Sequence, residues 1–180
     1  MNARDDFFQT PQASALSAFG VPVGDRAEIV DALYRFGAGQ DLRDRRLFDS
    51  AFSAKAKLDF TGPARRLGAA VSVFEGRQAI GDRIFSAIDR LDTTHTVTNP
   101  RVTHYDSRHA SLVALVEAQH LPRGDHGRHL LLKNIYTASL SKVQDRWLID
   151  TLRIDNVWMT GDPSVLFPDA TNESAVPVSA

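Results

Sequence analysis

The order of the predicted elements favours an α+β fold in which a sheet is wrapped over a helical layer. Helical periodicity dominates the first half of the chain, whereas long β-rich segments separated by short polar turns fill the second half. The two kinds of segment do not alternate, as they would in a parallel α/β fold. A chain of 180 residues can bury a substantial core, so a single domain is expected.

Three helices are predicted from apolar residues at helical spacing. The first covers residues 25–38, with Asp25 as its N-cap. A short second helix is expected over residues 43–52, and Asp41 lies in the elbow between these two. The third helix covers residues 77–91. The stripe of the first helix contains Ile29, Leu33, Phe36 and Gly37, and that of the third contains Ile80, Ile84, Phe85, Ile88 and Leu91.

Strands are predicted where β-branched and apolar residues form short or alternating runs. Two short strands, 57–61 and 69–74, enclose a turn-rich stretch at 62–68. Four long strands follow, at residues 93–105, 109–121, 129–143 and 147–158. This organisation predicts an N-terminal arm at 1–24, one domain at 25–167 and a mobile C-terminal tail at 168–180.

Composition excludes several classes of function. The formal net charge of -1 gives no field that would attract nucleic acid. The chain has no cysteine, which excludes thiolate metal sites, disulfides and cysteine nucleophiles. No signal peptide and no apolar run long enough for a membrane helix is apparent, so a cytoplasmic protein without a membrane partner is expected. The histidines lack metal-binding spacing, and neither a metal nor another cofactor is predicted.

Six features of the chain form a set: the first helix, the elbow with Asp41, the third helix, and then the stretches TTHTVTN, RHLLLKNIYTASL and RWLIDTLRIDNVWMTGDP. Together they resemble the SnoaL-like branch of the nuclear transport factor 2 superfamily over about residues 25–166. The resemblance implies a cone-shaped, cystatin-like α+β barrel with helices packed in a curved, mostly antiparallel sheet. The superfamily includes cyclases, isomerases, scytalone dehydratase, hexachlorocyclohexane dehydrochlorinase and dioxygenase small subunits, so it implies a fold more firmly than an activity.

The resemblance also implies a set of catalytic residues. Its dehydratase and dehydrochlorinase members have an Asp at the end of the first helix and a His near the start of the first long strand. Asp41 and His95 occupy those positions. A second pocket histidine corresponds to His120, and Arg153 is the nearest counterpart of an arginine on the last strand.

One position departs from the dehydratase pattern. Gln40 stands immediately before Asp41, where scytalone dehydratase has a tyrosine. Tyr34 or Tyr136 would have to supply the role of that tyrosine, so identical substrate chemistry is not expected.

An Asp and His pair can carry proton transfer. A carboxylate bound to one imidazole nitrogen fixes the tautomer and leaves the other nitrogen free to take a proton from carbon. We therefore predict a cofactor-independent lyase for a small hydrophobic substrate, aromatic or alicyclic. His95 would be the base, Asp41 its orienting group, and Tyr34 or His120 a hydrogen-bond donor.

Strand alternation suggests further substrate contacts. Asn134 and Tyr136 share one face of the third long strand, and Asn156 and Trp158 share one face of the fourth. Phe52, on the apolar face of the second helix, is included with them. Which face of the last strand lines the pocket stays open at this point, and core packing competes as an explanation for the aromatic residues.

Two other classes of function remain open. The same pocket could serve an isomerase or a polyketide-type cyclase. Alternatively, the chain could be a non-catalytic binding module or an assembly subunit like the dioxygenase small subunits. A single-layer sheet must also cover its outer face, so a homo-dimer or homo-trimer is expected.

Overall fold

The computed structural model describes residues 20–168. Most of the predicted N-terminal arm and C-terminal tail lies outside these residues. Along the chain, the elements are α1 (Val23–Asp41), α2 (Arg45–Asp49), β1 (Phe52–Asp59), α3 (Thr61–Arg66), β2 (Phe74–Glu75), α4 (Arg77–Ile88), β3 (Leu91–Tyr105), β4 (His109–Pro122), β5 (Leu130–Val143) and β6 (Arg146–Gly161), followed by a 3₁₀ turn at Pro163–Val165.

The strands form a six-stranded sheet in the order β2-β1-β6-β5-β4-β3. β3 to β6 form an antiparallel meander, β1 pairs with β6 in parallel, and β2 pairs with β1 antiparallel. The apolar stripe of α1 packs into this sheet, with Ile29, Leu33 and Phe36 buried in the main core. The predicted α+β fold is confirmed.

Two irregularities in the pairing of β5 with β6 decide which side chains of β6 point inward. The register shifts between the pairs Leu140↔Ile149 and Ser139↔Thr151, and again between Asn134↔Asn156 and Lys133↔Trp158. Each shift adds one residue to β6, and an extra residue exchanges the two faces of a strand. Trp147 and Ile149 therefore share the buried face with Leu152, Ile154 and Asn156. Asn156 is buried whereas Trp158 is exposed, so the expectation that these two residues share one face is wrong.

The first helix starts earlier than predicted and also ends later, at Asp41 instead of residue 38. It begins at Val23 with Pro22 as N-cap, and Val21 before it is buried in the core. Asp25 therefore lies in the first turn and is not the N-cap. Its carboxylate accepts hydrogen bonds from Lys142 Nζ at 2.7 Å and Trp147 Nε1 at 3.1 Å, as well as from the Tyr105 hydroxyl.

The segment between the first and the last predicted helix also differs from expectation. The second helix is only Arg45–Asp49, because Asp44 caps it and the chain enters β1 at Phe52. The predicted turn at 62–68 contains α3, and the predicted strand at 69–74 is reduced to Phe74–Glu75. Pro63 fits in α3 because the first helical turn needs no N–H donor.

The last predicted helix is shorter as well. α4 ends at Ile88, and Leu91 already belongs to β3. No helix within residues 20–168 is long and apolar enough to cross a membrane.

Candidate active site

A cavity of about 460 Å³ lies between the helices and the inner face of the sheet. Most of its wall is apolar, and the polar part is contributed by α1, α4 and the long strands. Its lining residues are Phe36, Gln40, Phe60, Val71, Phe74, Arg83, Ile84, Ser86, Ala87, Ile88, His95, Ala118, His120, Leu132, Asn134, Tyr136, Ile154, Leu166 and Phe167. Such a wall suits a small, mostly apolar ligand with a few polar groups.

Asp41 and His95 are in direct contact beside this cavity. Asp41 is the last residue of α1, and His95 lies on β3. Oδ1 of Asp41 lies 2.7 Å from Nδ1 of His95, and Oδ2 accepts the backbone N–H of His95 at 2.7 Å. The carboxylate thus holds both the ring and the main chain of the histidine, which fixes the orientation of the ring.

A third group completes the hydrogen bonding of the carboxylate. The hydroxyl of Thr93, two residues before His95 on β3, donates to Asp41 Oδ1 at 2.9 Å. Burial by itself raises the pKa of Asp41, but the hydrogen bonds from His95 and Thr93 outweigh this and hold the pKa below its ordinary value. Asp41 is therefore ionised at neutral pH.

Close packing of α1 against β3 brings Asp41 and His95 together. Gly37 lies one turn before Asp41, and a Cβ atom there would lie 3.0 Å from Cβ of His95. The neighbouring ring of Phe36 meets His95 and Tyr136 edge to face, with centroid distances of 6.4 Å and 6.0 Å. The helix can approach β3 this closely because residue 37 has no side chain.

His120 forms a second polar position in the same wall. Its ring stands edge to face against that of His95, with 6.0 Å between centroids. Burial lowers the pKa of His120 to about 4, so the imidazole is neutral at pH 7. Its Nδ1 is buried and has no hydrogen-bond partner among residues 20–168. A neutral imidazole with an unused nitrogen can exchange a hydrogen bond with a ligand in the cavity.

Asn134, Tyr136 and Asn156 form the polar part of the β5 and β6 wall. Asn156 Nδ2 donates to Asn134 Oδ1 at 2.9 Å, which fixes the orientation of the Asn134 amide. Burial raises the pKa of Tyr136, and the Asn134 amide opposes part of that rise. The tyrosine is therefore a neutral hydroxyl under all physiological conditions.

Not all predicted site residues meet at this cavity. His95, His120, Asn134 and Tyr136 line it. Asp41 and Asn156 do not line the cavity themselves. Asp41 contacts the lining residue His95, and Asn156 donates a hydrogen bond to the lining residue Asn134.

Four other predicted site residues lie elsewhere, and their predicted roles do not fit this geometry. Tyr34 is 47% exposed, because the buried face of α1 is formed by residues such as Leu33 and Phe36. Phe52 is fully buried, but it begins β1 and packs on Phe36 and Phe48 without lining the cavity.

Arg153 and Trp158 are placed on the outer side of the sheet by the two register shifts in β6. Arg153 Nε pairs with Asp155 at 2.8 Å. Trp158 is 47% exposed, and Lys133 Nζ lies 5.6 Å from its ring centroid. Neither residue lines the cavity.

Several wall residues were not predicted from the sequence. Leu166 and Phe167 come from the segment after the last strand, and Phe60, Phe74 and Arg83 come from the α3 to α4 region. An apolar cluster at residues 165–167, beyond the last strand and without a helix of its own, was the available signal. No comparable signal marked Arg83. Gln40, at the position of the expected tyrosine, also lines the wall and donates to Phe36 O at 3.1 Å.

Among the described residues, no group of three or more His, Asp or Glu side chains is placed to hold a metal ion. The arrangement can instead supply a general base, since Nδ1 of His95 is bound to a carboxylate while its ring borders the cavity.

Comparison with known proteins gives matches over most of the chain. Residues 22–153 match the model of the SnoaL-like domain. A curated relative, the terrestric acid biosynthesis cluster protein E of Penicillium crustosum, is 31% identical over 150 residues, which cover 79% of this chain and 90% of that protein.

Solved structures share the fold at lower identity. A candidate aromatic ring hydroxylase of Novosphingobium aromaticivorans has a TM-score of 0.71 at 19% identity, covering 81% of this chain and 99% of its own. A candidate scytalone dehydratase of the same organism has a TM-score of 0.65 at 14% identity, covering 76% and 87%. The LinA-type3 hexachlorocyclohexane dehydrochlorinase of Novosphingobium barchaimii has a TM-score of 0.64 at 18% identity, covering 84% and 94%.

Proposed function

Because the chain belongs to the SnoaL-like family, we propose that it is a cofactor-independent lyase of the dehydratase type. The observation that carries this proposal is the contact of 2.7 Å between Asp41 Oδ1 and His95 Nδ1 at the wall of an apolar cavity. The dehydratase and dehydrochlorinase structures that share the fold are consistent with elimination chemistry.

In this proposal His95 acts as the base. Its Nδ1–H donates to the Asp41 carboxylate, so Nε2 carries the lone pair that accepts a proton from a substrate carbon. The carboxylate stabilises the imidazolium that forms. Because Thr93 and the backbone N–H of His95 also bind Asp41, the carboxylate does not have to reorient during the transfer.

The elimination requires only the substrate and His95, and no other reactant. The C–H bond next to a carbonyl breaks, its proton moves to His95 Nε2, and its electron pair forms the enolate. The C–O bond at the adjacent carbon then breaks as the C=C bond forms. His95 returns the proton to the leaving hydroxide, and water is released.

The polar side chains on the strands next to His95 would hold the substrate oxygen. His120 is neutral and has a buried Nδ1 without a partner among the described residues. Asn134 and Tyr136 lie on the neighbouring strand and line the same cavity. A hydrogen bond from one of these groups to the carbonyl oxygen stabilises the enolate and lowers the barrier to proton abstraction.

The size and lining of the cavity support a proposal for the substrate class. A volume of about 460 Å³ with aromatic and aliphatic walls accommodates a small ring compound, aromatic or alicyclic. The relative from a terrestric acid biosynthesis cluster is consistent with a small-molecule substrate of biosynthetic origin.

The test uses 3-hydroxy-1-tetralone, a cyclic β-hydroxyketone that loses water to give fluorescent 1-naphthol. We expect wild-type protein to accelerate this reaction. Asp41→Asn and His95→Ala should each lower turnover by about a hundredfold or more, since a positioned base contributes about 10²–10⁴-fold. Asp44→Asn is the matched control in the same elbow, because Asp44 caps α2 and lies outside the cavity wall.

The outcomes separate the alternatives. Turnover that is equal in wild type, D41N and H95A would contradict the proposed dyad. A product with the mass of the substrate, formed without loss of water, would favour an isomerase over a lyase. Binding of 1-naphthol without any turnover in wild-type protein would favour the non-catalytic binding module.

A further inference from the structure

The cavity opens to solvent along α4. Arg83, Ser86 and Ala87 on this helix are exposed and also line the cavity. Leu166 and Phe167, from the segment after β6, are part of the same wall. A ligand that fills the apolar interior therefore has its outer end near the C-terminal half of α4.

Arg83 determines the charge of this opening. It is the one lining residue with a permanent charge within residues 20–168, and no Asp or Glu is among the lining residues. The guanidinium carbon of Arg83 lies 5.7 Å from the ring centroid of Phe74, which also lines the cavity. The cation is therefore held against an apolar wall.

Arg83 forms no ion pair with any residue that the structure describes. Other arginines of the chain do: Arg45 binds both Asp49 and Asp82 at 2.8 Å, and Arg128 binds Asp162 at 2.9 Å. Asp82 precedes Arg83 in α4, but its carboxylate is used by Arg45. The positive charge at the opening is therefore not neutralised by a neighbouring carboxylate.

We propose that Arg83 binds a carboxylate group of the substrate, so that the preferred substrates are ring compounds with one carboxylic acid. The planar guanidinium matches a carboxylate with two parallel N–H···O bonds. A single cation balances a single negative charge, which favours a monoanion over a phosphate ester. Electrostatic attraction is also stronger beside an apolar wall than in open water.

This inference rests on the proposed function, because it assigns the substrate class of the same cavity. The test compares two probes of the same shape, 2-naphthoate and 2-naphthamide, by isothermal titration calorimetry at pH 8 and low salt. We expect wild-type protein to bind the acid about fivefold more tightly than the amide, or better, since a partly exposed charged hydrogen bond contributes about 1 kcal/mol or more. The preference should shrink at high salt.

Arg83→Gln should abolish this preference while leaving the affinity for the amide within about twofold of wild type, and Arg83→Lys should keep part of it. Arg65→Gln is the matched control, because Arg65 is exposed on α3 and does not line the cavity. It should retain the full preference for the acid.

Three results would overturn the assignment: equal affinity for both probes in wild type, an undiminished preference in R83Q, or no binding of either probe. Repeating the titration with Asp41→Asn separates the two proposals. Carboxylate preference in D41N together with unimpaired turnover would contradict the lyase mechanism alone. Lost turnover in D41N without any carboxylate preference in wild type would contradict the role of Arg83 alone.

Discussion

Gly39 lies in the last turn of α1, where the helix packs directly on the backbone of α2. A Cβ atom at this position would lie 2.6 Å from both N and Cα of Phe48 and 2.7 Å from its Cβ. These are backbone and Cβ atoms, so no side-chain rotation can relieve the overlap. Gly39→Ala must push α2 away from α1, next to the elbow that ends in Asp41.

The expected cost can be worked out from two opposing effects. Overpacking of a well-filled interior costs about 1–3 kcal/mol, and contact with backbone atoms places this site at the upper end. Replacing Gly by Ala inside a helix stabilises the folded protein by about 1 kcal/mol, because Ala has the higher helix propensity. The net loss for G39A is therefore about 2 kcal/mol, or a fall in Tm of about 4–8 °C for a chain of this size.

The assay is urea unfolding followed by tryptophan fluorescence, with Gly24→Ala as the matched control. Gly24 lies in the same helix, but a Cβ atom there meets nothing within 4 Å. G24A should leave stability unchanged or raise it by up to about 1 kcal/mol. If G39A unfolded at the same urea concentration as wild type, or at a higher one, the close contact between the two helices would be refuted.

Two further predictions concern the polar wall. Because the pKa of His120 is lowered from 6.5 to about 4, the unfolded chain takes up this proton first as pH falls. The free energy of unfolding should therefore drop by up to about 3 kcal/mol between about pH 6.5 and 4. The free energy of unfolding of His120→Gln should drop less over that range. Parallel curves of unfolding free energy against pH for the two proteins would contradict this. Thr93→Val removes the hydrogen bond to Asp41, so turnover should fall about 5–10-fold. The acidic limb of the pH–rate profile should also move to higher pH. Thr94 is exposed, and Thr94→Val should change neither the turnover nor the pH–rate profile.

The sequence was informative where structure depends on local periodicity. The stripe from Ile29 to Phe36 predicts α1, and the alternation along β4 and β5 predicts long strands with one buried face. The elbow position of Asp41 follows from the end of that helical pattern. The resemblance to SnoaL-like proteins then identifies His95 as its partner, which no spacing rule could have done across 54 residues.

Prediction failed where a contact between distant segments decides the result. Asp25 looks like a helix cap, but its partners Lys142 and Trp147 lie more than 110 residues away along the chain. Arg153 was expected from the resemblance to the family, and Trp158 from counting alternate residues along β6. The pairing with β5 inserts two extra residues into that strand, so the count no longer gives the face.

Local sequence patterns thus established the α+β class, the type of most elements and the place of Asp41 near the junction of the first two helices. Hydrophobic periodicity and turn residues are local properties, and they can be recognised within a single stretch of the chain. The tertiary structure alone decided which side chains line the cavity, including Phe167 and Arg83. It also decided that His120 is buried enough to be neutral. Burial and pairing depend on what packs against a residue, and a pattern along one segment does not contain that information.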